Sequence, residues 1–220
     1  MARLAPLDRS VIDRARALFS VPAPLGDVSY LVPGGFQRYA MVLHPPSLPD
    51  AAGDSKPARW STLATAVGSS LDVSTSLSEL ATSYGEMVGR VEDAYVGSLT
   101  ETVESGEWIV YRLRIGDLAS SLHQEGQGLA VGISTLSGRT TPIETLPAVH
   151  LGSRPFHAGS LQNAGDLDAS LEVFTGVIWP LDLSWWITSD IDLDYTIVGG
   201  STDLIDRCLA DDRFEVLPFD

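Results

Sequence analysis

WWITSDIDLDYTIVGGSTDLIDRCLADDRFEVLPF (185–219) is the stretch that decides the fold. Trp185–Thr188 and Ile191–Val198 are rich in β-branched and aromatic residues and read as strands. Gly199-Gly200 reads as a turn, since two glycines accept backbone angles that other residues avoid. Ser201 or Thr202 then caps a helix whose Leu204, Ile205, Cys208 and Leu209 fall on one face, with Asp203 in its first turn. Phe214–Phe219 closes the segment as a last strand. Strands that lead through a helix into another strand need partners elsewhere in the chain to complete a sheet.

Those partners lie upstream. Pro147–Leu151 and Arg154–His157 form an expected hairpin, and Gly128–Thr135 a short apolar strand. Trp108–Arg114 alternates as a strand does, and Ile115–His123 follows with helical spacing. Near the N-terminus, Leu7, Val11, Ala15, Leu18 and Phe19 make one apolar helix face, which Pro22 and Pro24 end. Val28–Val32 and Phe36–Leu43 read as paired strands joined at Pro33-Gly34-Gly35. Residues 45–58 hold four prolines and almost nothing apolar, and are expected to be an exposed loop. Trp60–Val67 reads as a short helix; from Ser69 to Gly106 the pattern is weak, and short helical pieces and loops are expected. Hairpins mixed with helices imply an α+β fold, a mainly antiparallel sheet with helices packed on it. Neither half alone holds enough strongly patterned strands to close a core, so residues 1–220 are expected to form one domain, with both chain ends in one sheet.

Charge narrows the class of partner. The chain has 220 residues, 14 Lys+Arg against 29 Asp+Glu, and a formal net charge of −15. Residues 1–60 carry five acids and seven bases, whereas residues 161–220 carry thirteen acids and only Arg207 and Arg213. That imbalance repels phosphate backbones and anionic lipid surfaces, so neither nucleic acid nor membrane is an expected partner; a basic protein is. Cys208 is the sole cysteine, which excludes an intrachain disulfide and fits a cytoplasmic location. Asp and Arg stand where a signal peptide needs an apolar core, and no run of 18 apolar residues exists.

Two blocks resemble a known group. YLVPGGFQRYAMVLHP (30–45) with Arg59-Trp60, and WPLDLSWWITSDIDLDYTIVGGSTDLIDRCLADDRFEVLPF (179–219), are similar to the opening and closing blocks of a family of uncharacterised actinobacterial proteins. LGSRPFHAGSLQ (151–162) resembles that family's middle hairpin, while residues 61–128 depart from it. The resemblance implies one fold shared from end to end. It brings no activity and no catalytic residue.

Asp190, Asp192 and Asp194 alternate with Ile191, Leu193 and Tyr195. On a strand these carboxylates stand about 6.6 Å apart along one face, too far for all three to hold one ion. A calcium loop would need Gly and Glu where Tyr195 and Ser201 stand. A solvated or partner-facing strand is therefore expected, and no metal. Val198-Gly-Gly-Ser-Thr202 could offer helix N–H groups to an anion, but Asp194, Asp203 and Asp206 oppose one and no Lys follows the glycines. Gly126-x-Gly128…Gly132 lies before and within a strand, the wrong context for a dinucleotide turn. His44, His123, His150 and His157 fall in no recognisable motif. No cofactor is expected, and no catalytic residue can be named.

Trp185 and Trp186 are consecutive, so on a strand they point to opposite faces. One enters the core, and the other sits under a helix or is partly exposed. An exposed indole beside an acidic strand would be a binding anchor. The expected function is a non-enzymatic binding or regulatory protein, of the immunity or accessory kind, acting through Trp185 or Trp186 with Asp190, Asp192 and Asp194. The alternative is an enzyme with a dispersed Asp/His site, metal-assisted or not.

Overall fold

In a computed structural model of the protein, the described residues are 9–18, 32–49, 55–89, 115–122, 129–133, 149–151, 154–159, 176–189 and 193–219. The fold is α+β, with a mainly antiparallel sheet and helices packed on it. Two compact units emerge, residues 1–42 with 114–220 and residues 43–113. No helix among the described residues is long and apolar enough to cross a membrane.

The first unit is built on an eight-stranded sheet of order β10-β1-β9-β8-β7-β4-β6-β5. Its strands are β1 (Arg38–Leu43), β4 (Leu129–Ile133), β5 (Val149–Leu151), β6 (Arg154–Gly159), β7 (Gly176–Pro180), β8 (Trp186–Ser189), β9 (Tyr195–Gly200) and β10 (Glu215–Phe219). Strands from both chain ends thus share one sheet, as expected. The hairpin of β5 with β6 is antiparallel through Val149↔Phe156, and β8 meets β9 antiparallel from Trp186↔Gly199 to Ser189↔Thr196. β7, which the sequence reading did not anticipate, joins β8 to β4, with Ile178 opposite Ile187 on one side and Val131 on the other.

Alternation along the central strands sorts the core into two faces. Val177, Trp179, Trp186 and Ile197 belong to one, in a cluster with Ala15 of α1 (Arg9–Leu18), Val32 and Tyr39. Ile178, Ile187 and Val198 belong to the other, and all three are fully buried. Strands buried on both faces read as continuous apolar runs, which is why Trp185–Ile187 and Ile197–Val198 show no polar alternation.

Two further helices belong to this unit, α4 (Ile115–Leu122) and α5 (Thr202–Ala210). α5 packs against β9, β10 and α4. Leu204, Ile205 and Cys208 are its buried face, as their spacing implied. Ser201, the first of the two cap candidates, holds the N-terminus: its Oγ accepts a hydrogen bond from the Leu204 amide at 3.3 Å. Gly199 and Gly200 are the end of β9 rather than a turn, which corrects the sequence reading. The reason is steric. A Cβ on Gly199 would lie 2.5 Å from Phe36 Cδ2 and 3.1 Å from Tyr39 Cε1, so only glycine lets these rings close on the strand. The turn expected at 33–35 does carry a positive angle, φ +94° at Gly35.

The second unit holds a two-stranded antiparallel sheet, β2 (Ser47–Pro49) with β3 (Ser55–Pro57), and two helices, α2 (Trp60–Ala66) and α3 (Leu77–Gly89). The strand pair falls within 45–58, read from sequence as an exposed loop, and was not anticipated there; residues 50–54 lie outside the described residues. Pro46 is buried, its carbonyl accepts from the Ala58 amide at 2.8 Å, and Leu48 is half-buried. Prolines at strand ends leave such a ladder intact because no pairing N–H is required there. Within 69–106, where short helical pieces and loops were expected, α3 runs 13 residues, buries Leu77, Leu80 and Ala81, and packs against α2. The strand expected over Trp108–Arg114 and most of the one over Val28–Val32 lie outside the described residues.

Candidate functional site

The sheet brings three segments to one end of the first unit. β9 ends there at Gly200 and leads through Ser201 into α5. β8 begins there, since Trp186 pairs with Gly199, and the β7–β8 turn (Leu181–Trp185) precedes it. The start of β1 arrives as well, because the Gln37 amide donates to the Gly200 carbonyl at 3.1 Å.

Polar side chains fasten these segments. Gln37 Oε1 accepts from the Thr202 amide at 3.0 Å, so the first turn of α5 has a cap from a residue 165 positions away as well as from Ser201. One turn on, Arg38 Nη1 donates to Asp206 Oδ1 at 2.5 Å. The helix N–H groups, for which an anion was considered and not expected, are thus answered in part from inside the chain. Arg213 holds both carboxylate oxygens of Asp211, at 2.9 and 2.6 Å, which lowers that carboxyl below the usual range.

The β7–β8 turn is shaped by its own hydrogen bonds. The Leu183 amide donates to the Pro180 carbonyl at 2.8 Å, and the Ser184 amide to Asp182 Oδ1 at 3.0 Å. Arg14 of α1 donates to the Leu181 carbonyl at 3.2 Å. Leu183 sits at φ +62°, alone among the described non-glycine residues in that region. For a leucine this costs on the order of 1 kcal/mol, which the turn must offset elsewhere. Leu181 and Leu183 are half-buried on the rim of the tryptophan cluster, whereas Asp182 and Ser184 are exposed.

Of the residues selected from sequence, Trp185 and Trp186 change role most. Both are buried, at 0% and 1% exposure. Trp186 stacks on Trp179 with ring centroids 4.7 Å apart and planes 8° from parallel. Trp185 turns the other way, its Cβ 3.6 Å from where a Gly200 Cβ would stand. The reason is that the sheet is covered on both faces, so neither face leaves an indole in water. The exposed tryptophan anchor is therefore corrected: no indole at 185 or 186 reaches the surface.

Asp190 and Asp192 lie outside the described residues. Asp194 is described, and it is not on a strand: the ladder of β8 with β9 ends at Ser189↔Thr196, and Asp194 occupies the bend before Tyr195. It is half-buried, and desolvation raises its carboxyl above the ordinary carboxylate range.

The histidines are dispersed. His44 follows β1 and belongs to the second unit; burial lowers its imidazole to about 4, and its carbonyl accepts from Trp60 Nε1 at 2.7 Å. His150 and His157 occupy β5 and β6, opposite Pro155 and Val131, and His123 lies outside the described residues. Among the described residues, no group of three or more His, Cys, Asp or Glu is placed to hold a metal ion. Gly132 is an ordinary ladder position, opposite Val177 and Phe156.

Sequence reasoning missed the pairing of Arg38 with Asp206 and of Gln37 with Thr202, for which no local pattern exists. It also missed the β7–β8 turn, whose signal was present: Asp182-x-Ser184 after Pro180 is a side-chain-to-backbone turn pattern. Compared with known proteins, the chain matches no family model, no curated protein and no solved structure.

Proposed function

We propose that this chain is a non-enzymatic, cytoplasmic binding protein that receives a basic protein partner on its acidic C-terminal surface. One observation carries the reading: in a region holding thirteen acids and two arginines, Asp203 and Asp212 are exposed on and just after one capped helix, with Asp206, exposed but engaged by Arg38, between them. A helix fixed at its N-terminus by two side chains and packed on β9 and β10 presents those carboxylates without further ordering. Preorganised charge of this kind steers a cationic partner and raises its on-rate more than its affinity. The expected Asp190–Asp194 strand contributes to this reading only as a source of further negative charge, and Trp185 and Trp186, both buried, contribute no contact surface.

The test compares wild type with Asp203→Asn/Asp206→Asn/Asp212→Asn as immobilised bait in a lysate of the source cell, eluted in steps of salt. The account expects a basic protein that wild type retains at low salt and releases as salt rises, and that the triple variant does not retain. An identical set of bound proteins for both baits would contradict it.

A further inference from the structure

We propose that the cleft between α2 and α3 binds a small organic cation, a protonated amine carried on an apolar body. The proposal is independent of the acidic-surface reading, because the cleft lies wholly in the second unit. The end of α2 lines it with Ala66 and Val67, and the second half of α3 with Ser83, Glu86 and Met87. Ser83, Glu86 and Met87 are spaced i, i+3 and i+4, so they share one face of α3. The cleft has a volume of about 380 Å³. Small-molecule sites fall between roughly 300 and 1,000 Å³ and combine apolar walls with a few polar groups.

Three observations converge on the chemistry of the ligand. The first is charge. Residues 60–89 hold Asp72, Glu79 and Glu86 but no lysine, arginine or histidine, so a cation entering the cleft meets no like charge from either helix. The second is engagement. Asp72 accepts from Ser74 and Thr75, Asp206 pairs with Arg38, and Asp211 pairs with Arg213. The Glu86 carboxylate and the Ser83 hydroxyl, by contrast, take no partner among the described residues. α2 also ends at the cleft with no basic residue in its last turn, so the partial negative charge of its C-terminus adds to that of Glu86. An ammonium group has three donors and no acceptor, which suits a carboxylate beside a hydroxyl oxygen. The third observation is the apolar wall. Val67 and Met87 are half-buried there, and a methionine thioether adapts its shape and favours the edge of an aromatic ring. An arylalkyl amine answers both halves of the cleft. A bare inorganic cation would leave Val67 and Met87 uncovered, and Glu86 opposes an anion.

The probe is 2-phenylethylamine, protonated at pH 7, with 2-phenylethanol as its neutral isostere and 3-phenylpropionate as its anionic counterpart. Each is titrated into full-length protein labelled at its methionine methyls and backbone amides, and shifts are followed by NMR. The Met87 methyl is assigned by its loss in Met87→Leu. The amine should give saturable shifts at the Met87 methyl and at amides 66–67 and 83–87, and should bind about fivefold more tightly than the alcohol. The anion should not bind. Glu86→Gln should lose the preference for the amine, with its melting temperature unchanged because Glu86 is exposed. Equal binding of amine and alcohol by wild type, binding of the anion, or amine shifts confined to 201–212 would overturn the proposal. An undiminished preference in Glu86→Gln would overturn it as well. If Glu86→Gln melts lower, salt decides in wild type: the preference for the amine should shrink as salt rises, and a preference indifferent to salt would overturn the proposal.

Discussion

At the scale of single residues, the structure makes sharp demands at Gly199, His44 and Cys208. Gly199→Ala places a methyl 2.5 Å from Phe36 Cδ2, in a site closed on the other side by Tyr39. Overpacking of this kind costs about 1–3 kcal/mol, so the urea midpoint should fall by the corresponding amount with the slope unchanged. His44 is held at about 4 by burial, well below the 6.5 of an ordinary imidazole. Its folded form therefore resists a proton that the unfolded chain accepts. Its contribution to stability is complete above pH 6.5, declines as the pH falls toward 4, and changes no further below that. The loss is on the order of 3 kcal/mol, and His44→Gln should flatten the stability profile across that window. Asp194 acts in the opposite sense: its raised carboxyl favours the folded state in acid and loses that contribution as the pH rises through its folded value. Cys208, buried and pushed up to about 12, should react with iodoacetamide at pH 8 slower in the native protein than in urea by about two orders of magnitude or more.

At the scale of elements, what could be read depended on whether the signal was local. α5 was legible because its cap, its apolar face and its first-turn acid lie within nine residues of one another. Ser201→Ala should cost about 1 kcal/mol by urea unfolding, since Gln37 answers a different amide of the same turn. α3 also had a local signal that was passed over. Ser76-x-x-Glu79 is a capping pattern, and the Glu79 amide does donate to Ser76 Oγ, at 3.3 Å. β7 was hidden for a different reason. It is short and buried, so it has neither alternation nor helical period to mark it. The strand pair β2–β3 ran against composition, because proline was weighed as a breaker when its positions at strand ends made it harmless. The Ala58 amide, bonded to the Pro46 carbonyl, should exchange with deuterium well below the rate of an unstructured peptide. Exchange at the unstructured rate would return residues 45–58 to an irregular loop.

At the scale of the whole molecule, composition located the acidic surface and topology supplied its detail. The excess of acids in the C-terminal quarter was plain from counting, but which of them stand together depends on a sheet that unites residues 37, 183 and 200. No sequence window spans such distances. The tryptophans illustrate the limit. Their adjacency implied opposite faces correctly, yet only the covering of both faces of β8 decided that neither is exposed. The central claim is that the acidic face of α5 is the binding surface, and residue-resolved NMR tests it most directly. A nonapeptide alternating Arg with Ala is titrated into isotope-labelled protein and amide shifts are followed. The account predicts saturable shifts clustered at 201–212, abolished by raised salt. Shifts clustered instead at 60–89, or none at all, would contradict it.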